Sequence, residues 1–319
     1  MKKILLTIFL ILMQKTLFAE IMYVSNEKDH NITVIDGNSL EVIKNVKVGH
    51  RPRGIILSKD KKKIIICTSD DNRITVVDTK TLEVEYYLPS GPDPELMVMD
   101  DEGKYIYVAN EDDNMVTVVD YIEKKVIKEI PVGVEPEGMG LSPDGKTLVN
   151  TSETTNMAHF IDTSTLEIKA NVLVDARPRV AQYSSDGKFV WVSSEIGGTI
   201  SVIDASKLEI IKKIEFNIPG LSKESIQPVG VRLDNKRDLA YVALGPANRI
   251  AIINMKTYEV EKYILTGQRV WNLMINTDGT KLYTTNGVSN DISVVDIEKR
   301  KVIKSIPVGR YPWGVAVKE

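Results

Sequence analysis

Seven short segments carry the residues whose types and spacing could do chemistry. Six of them set a proline between two side chains: Arg51-Pro52-Arg53, Asp93-Pro94-Glu95, Glu135-Pro136-Glu137, Arg177-Pro178-Arg179, Gln227-Pro228-Val229 and Tyr311-Pro312-Trp313. The seventh, Arg269-Val270-Trp271, has valine where the proline is due. On an extended chain, residues two apart project to the same side. Guanidinium forks suit carboxylates or phosphates, and indole faces suit a flat ring. Together the segments read as a site for a planar anionic ligand or for the polar surface of a partner. The competing reading is a solvated rim whose opposite charges pair. Exposed ion pairs contribute only about 0–1 kcal/mol each, so the fold does not demand the pattern.

A second, less regular group of polar segments accompanies the first: 26–31 (NEKDHN), 69–72 (SDDN), 110–114 (NEDDN), 152–159 (SETTNMAH), 194–198 (SEIGG), 245–248 (GPAN) and 286–290 (NGVSN). They are read as loops, and they supply a secondary set of binding candidates: Asn110, Glu111, Glu153, Asn156, His159, Glu195, Asn248, Asn286 and Asn290. Catalytic signals are thin. The three histidines, His30, His50 and His159, read as polar residues in loops or at a strand end, with a metal or axial-ligand role as the less favoured alternative. Glu95, Glu135 and Glu137 could transfer protons only if buried. The sequence holds no CxxCH haem attachment, zinc-ligand spacing, nucleophile elbow or phosphate loop. No metal and no catalytic residue is assigned, and the chain reads as a binder before an enzyme.

The elements that must position these segments follow from a repeat. An acid or amide closes one strand of each unit at Asp36, Asp78, Asp120, Asp162, Asp204, Asn254 and Asp296, in steps of 42 residues with one step of 50. Within a unit such as 105–146, YIYVAN and MVTVVD alternate apolar and polar, KVIKEIPV follows, and GMGLS leads into an Asp-Gly turn. The period is two, not the 3.6 of helix-pair repeats. A four-stranded unit recurring every forty-odd residues is a propeller blade, because one small sheet cannot bury both its faces. The expected fold is therefore all-β: a seven-bladed β-propeller of four-stranded antiparallel blades. The chain starts in the second strand of a unit and stops in the first. The C-terminal strand, Tyr311 to Lys318, is thus expected to pair with the N-terminal blade and close the ring. The eight extra residues of the fifth unit, between Ile214 and Pro228, are expected to lengthen a loop.

Residues 1–19 have two early lysines, an apolar run from Ile4 to Met13 and a small residue at Ala19, the layout of a cleaved signal peptide. The apolar run is too short to span a bilayer; an uncleaved anchor is the alternative. Residues 20–319 are expected to form a single propeller domain, a monomer, in the periplasm. Cleavage would remove three lysines and no acid, moving the net charge from −3 to −6. A mildly acidic chain argues against broad nucleic-acid binding, which needs a clustered basic face. The single cysteine, Cys67, lies in an apolar strand and reads as a small core residue.

The strings YVSNEKD, YVANEDDN and IPVG-x-x-P-x-G-x-x-x-SPDGK resemble the YVTN-type bacterial β-propeller repeat across residues 21–319. SGPDPEL, NEDDNMVTVVD, VGVEPEGM, NTSETTNMAHFID, WVSSEIGGT, ALGPANR, GQRVWNL, TTNGVSND and VGRYPWGV, in that order, are similar to the subgroup associated with catabolism dependent on PQQ (pyrroloquinoline quinone). That resemblance implies a periplasmic accessory protein of alcohol oxidation. The partners it implies are a quinoprotein alcohol dehydrogenase, a c-type cytochrome or an ABC system component, with PQQ as the candidate cofactor. A more distant likeness to haem d-one propellers makes haem the second candidate, although those have eight blades. Two alternatives stand beside the accessory role. One is an enzyme with a rim active site, a lactonase-like hydrolase or cofactor-binding redox protein; the other is a cell-surface interaction protein.

Overall fold

A computed structural model describes residues 20–319; the expected signal peptide, 1–19, lies outside the described residues. The described residues form twenty-eight strands, β1–β28, in seven four-stranded antiparallel sheets. The first strand of each sheet lines a central channel. These innermost strands are β4 (Pro52–Leu57), β8 (Pro94–Met99), β12 (Pro136–Leu141), β16 (Pro178–Tyr183), β20 (Pro228–Asp234), β24 (Val270–Ile275) and β28 (Pro312–Lys318). Six sheets use consecutive strands. The seventh joins β28 to β1 (Ile21–Asn26), β2 (Asn31–Asp36) and β3 (Glu41–Lys47), with Val24 opposite Val315 and Ile21 opposite Lys318. The closure read from the sequence is therefore present.

Burial explains the period of two. The three inner strands of each blade are covered on both faces, whereas the outermost is mostly exposed, as in β3 with only Val46 buried. Side chains of adjacent sheets meet between blades: Trp191, Val202 and Ile214 of one pack with Val231, Val242 and Ala251 of the next. The eight-residue insertion is more than a longer loop. Phe216, Ile218 and Ile226 within it enter that same inter-blade core, and a short 3-10 turn, Lys223–Ser225, compacts it.

Two backbone devices recur around the ring and decide where the proline-flanking side chains go. In six blades the residue that opens this segment adopts a left-handed conformation: Arg51, Asp93, Glu135, Arg177 and Tyr311 before their prolines, and Arg269 before Val270, all have φ between 47° and 58°. This costs roughly 1–2 kcal/mol per residue, and each is held from both sides. Its N–H donates to a turn residue of the preceding blade, with His30, Asn72, Asn114, Asn156, Asn248 and Asn290 as acceptors at 2.8–3.1 Å. Its carbonyl accepts from its own blade, as in Glu111 N–H to Asp93 O at 2.9 Å and Glu195 N–H to Arg177 O at 2.8 Å. The residue after the proline sits in a register shift that recurs in all seven blades, and such bulges re-aim side chains. The glycine that follows in four blades is needed because innermost strands nearly touch. A Cβ on Gly54 would lie 2.3 Å from Glu95 O, and one on Gly138 would lie 2.1 Å from Arg179 O.

Ring closure predicts the effect of truncation. A chain ending at Tyr311 loses the buried Trp313, Val315 and Ala316 and exposes the edge of β1. It is expected to lose its cooperative thermal transition and to self-associate by size-exclusion chromatography. A monomer melting within a few degrees of the full chain would show that closure is dispensable.

Candidate functional site

At the proline end of the innermost strands, both groups of polar segments merge into one network around the channel mouth. The acids that complete it follow directly after the second strand of four blades: Glu27, Glu111, Glu153 and Glu195. Three of these are among the secondary candidates named above, and Glu27 is a member of the site that residue type alone does not pick out. Their signal was available, since counting along the repeat puts Glu27, Ser69, Glu111, Glu153, Glu195, Gly245 and Gly287 at equivalent positions. Where glycine takes the place of the acid, at Gly287, the Trp271 indole fills the space; a Cβ there would lie 2.3 Å from Nε1.

On one side of the mouth, Arg51 donates to both oxygens of Asp93 at 2.7 and 2.8 Å and to Glu95 at 3.3 Å. Arg53 bonds Glu95, and both arginines lie 3.7 Å from Glu27. On the other side, Arg179 donates to Glu137 at 3.0 Å and to Glu153, with Glu195 at 3.7 Å. Arg177 faces Glu153 at 2.7 Å and Glu195 at 3.3 Å. Arg269 meets Glu195 at 2.6 Å and Gln227 at 2.8 Å while lying over the Trp271 ring. Glu135 accepts from the Thr154 hydroxyl at 2.5 Å.

Opposite charges therefore do pair across the mouth, as in the competing reading, but the rim is not the solvated one that reading described. Glu95, Glu137, Glu153, Glu195 and Arg179 are all buried. Nor does the chain run extended through the proline; the left-handed residue and the register shift turn Arg51 and Arg53 onto the same Glu95. The aromatic platform is also smaller than expected. Trp313 is buried in the ring with Arg53 over its face, and Trp271 is covered by Arg269 and Arg179. Only Tyr311 is openly exposed.

Several secondary candidates turn out to be framework. Asn156, Asn248 and Asn290 accept the N–H groups of left-handed mouth residues. Asn110 and Asn286 are fully buried and bond Thr117 and Ser293. His159 is not in a loop but inside the strand Met157–Asp162, where the sequence reading continued the loop too far. Its Nε2 accepts from Gly133 N–H at 2.9 Å and its Nδ1 contacts Asn171 at 2.6 Å. Burial lowers its pKa, so the ring is neutral. His30 stacks edge-on to His50, which pairs with Asp71 on the surface.

Counting by charge, eight carboxylates (Glu27, Asp93, Glu95, Glu111, Glu135, Glu137, Glu153 and Glu195) surround five guanidinium groups; Glu111 and Glu135 pair with none of them, while Arg51 also reaches the exposed Asp70 at 3.7 Å. The imbalance shows in their proton affinity. Burial, together with the neighbouring acids, pushes Glu95 and Glu137 up despite Arg53 and Arg179. Glu153 is pushed up to about 7 by burial and by Glu137, against the pull of Arg179 and Arg177. Burial acts the other way on Arg53 and Arg179, but the surrounding glutamates outweigh it and hold both guanidiniums charged. Two oxygen triads, Asp93–Glu95–Glu111 and Glu111–Glu135–Glu153, have ligand atoms within 4.8 Å of one another; all-oxygen sets suit hard cations. The mouth is thus a network in which burial and excess carboxylate both favour the neutral form of the glutamates.

Residues 10–187 match the family described as a domain of unknown function, DUF5074. The chain belongs to that family. No curated protein matches it in sequence. Among solved structures it is similar to hydrazine synthase of Kuenenia stuttgartiensis, with a TM-score of 0.79 at 20% identity over 86% of this chain and 91% of that one. A functionally unknown protein from Desulfotomaculum acetoxidans DSM 771 gives 0.79 at 14% identity over 93% and 98%. The dihydro-haem d1 dehydrogenase NirN, solved in complex with DHE, gives 0.70 at 16% identity over 92% and 74%. At these identities the likeness establishes the shared propeller fold.

Two predictions follow from the network. Arg179→Met strands Glu137 and Glu153 in a buried site, so it is expected to destabilise the protein by about 3–5 kcal/mol in urea unfolding. A loss below about 1 kcal/mol would show that the network relaxes around the gap. The second concerns pH. Glu153 is raised from 4.5 to about 7 in the fold; its contribution is complete below the unfolded value and is lost as pH rises through 7. His159 works in the opposite sense, gaining stability as pH rises through its unfolded value. The comparison with Glu153→Gln isolates the glutamate. From pH 5 to 8 the native chain should lose up to about 3 kcal/mol relative to the variant, read as diverging unfolding midpoints. Parallel midpoints would refute the assignment.

Proposed function

We propose that this chain is a non-catalytic binding protein of the periplasm, accessory to PQQ-dependent alcohol oxidation, that docks a redox partner at the channel mouth. The observation that carries the docking reading is the surplus of carboxylates over guanidiniums there, with the acids pushed up in pKa. A basic patch on a quinoprotein dehydrogenase or c-type cytochrome satisfies that surplus and displaces protons as it binds. The rim strings that resemble the PQQ-associated subgroup support the pathway. An anionic quinone is the less favoured occupant, because the arginines expected to grip it are already engaged by carboxylates. Arg177, with its side chain 47% exposed, is the mouth arginine best placed to meet one.

An enzymatic reading has one specific observation in its favour. Glu153, near 7, is poised for proton transfer at neutral pH. It would require a substrate that reaches past Arg177.

The docking reading predicts association between residues 20–319 and a purified quinoprotein alcohol dehydrogenase or c-type cytochrome from the same cells. Binding should weaken steeply from about 20 to about 300 mM salt and be lost in Asp93→Asn/Glu135→Gln. No association with either partner at low salt would overturn it. In a parallel tryptophan-fluorescence titration, saturable quenching by PQQ that Arg177→Ala abolishes would transfer the mouth to the quinone.

A further inference from the structure

The opposite end of the channel has the reverse chemistry. There the innermost strands enclose a cavity of about 560 Å³ lined by Ile56, Leu96, Val98, Val180, Met274 and Ala316, among others. A volume of this order suits a small-molecule ligand. Its wall carries three cations, Lys59, Lys61 and Arg232, and no carboxylate. Lys59 is paired with Asp101 at 2.7 Å, outside the cavity wall. Lys59 and Lys61 follow β4, at the exit, whereas Arg232 stands in the channel wall on β20.

Arg232 departs from the repeat. Counting four residues on from the start of each innermost strand gives Ile56, Val98, Gly140, Gln182, Arg232, Met274 and Ala316. Its hydrogen bond is to the carbonyl of its own neighbour, Val231, at 3.1 Å, and no acid lies within ion-pair distance among the described residues. Burial alone acts on its guanidinium, lowering the pKa to about 10, which still leaves it charged at neutral pH. An unpaired charge among apolar side chains is costly, and an aliphatic residue would serve the fold better. At the same height on the preceding blade, Gln182 holds a buried Oε1 with no hydrogen-bond partner.

We propose that this end of the channel binds an aliphatic carboxylate, its head group on Arg232 and its chain along Ile56, Leu96, Val98 and Met274. The apolar wall covers the chain, the guanidinium fork receives the two carboxylate oxygens, and the lysines at the exit attract the anion. The site is separate from the mouth and stands whether or not a partner docks there.

Calorimetric titration of residues 20–319 with octanoate, octanol and octylammonium tests the assignment. Octanoate should bind saturably at one site, more tightly than octanol, and octylammonium should not bind. Arg232→Met, which removes a half-buried, unpaired charge and should fold at least as well, is expected to weaken octanoate about ten- to a hundred-fold without weakening octanol. Val98→Trp, checked for an unchanged melting transition, should block both. Glu135→Gln at the mouth should leave octanoate binding as it was. No saturable octanoate binding by the folded chain would overturn the proposal, as would equal binding of octanoate and octanol or an Arg232→Met variant that binds like the native chain.

Discussion

A four-stranded sheet of this composition has two apolar faces and nothing of its own to cover them. Each blade is therefore stable only between two others, and the ring has to close. The strand pairing that closes it, β28 with β1, sets the conditions for everything else in the molecule. It fixes seven innermost strands around one channel. It also brings backbones close enough that glycine is the residue that fits at Gly54 and Gly138. Between blades, the left-handed residue that opens the innermost strand of six blades acts as a clasp, its N–H held by one sheet and its carbonyl by the next. Six such clasps accept an unfavourable backbone conformation in exchange for hydrogen bonds that tie neighbours together.

The clasps have an electrostatic consequence. Because the two side chains flanking each proline turn inward, charges that would be separate on an open rim are forced into contact and partly buried. Burial raises the free energy of every unpaired carboxylate, and five arginines cannot satisfy eight acids. Burial and the neighbouring acids push Glu95 and Glu137 up, and Glu153 up to about 7. A charge network of this kind is weak evidence for stability, since an apolar replacement of the same shape is often neutral or better.

The two ends of the channel are then chemical opposites on the same seven strands. Acids outnumber arginines at the proline end; four residues further along, the wall is aliphatic with a lone guanidinium. Alternation along a strand allows this, because inward-facing positions can change character at each step without disturbing the inter-blade core.

The sequence by itself determined the fold to the level of blade number, strand order and ring closure. Those follow from a 42-residue period and a period-two apolar pattern, which are local properties repeated seven times. It also named most residues of the mouth, because Arg51, Asp93, Glu135, Arg177 and Arg269 break the repeat at equivalent positions. It could not decide which charges meet. Whether Arg179 is a free fork or one buried by Glu137 and Glu153 depends on strands 42 residues apart lying side by side. Nor could it give the direction of the flanking side chains, since a register shift and a left-handed φ are indistinguishable from extended chain in the residue types alone. His159 was misplaced because its polar side chain looked like loop while its backbone continued the strand. Arg232 went unnoticed for a different reason. One charged residue in a strand means little until tertiary structure shows that no acid stands opposite it, and burial, which sets its cost, is a property of the closed ring.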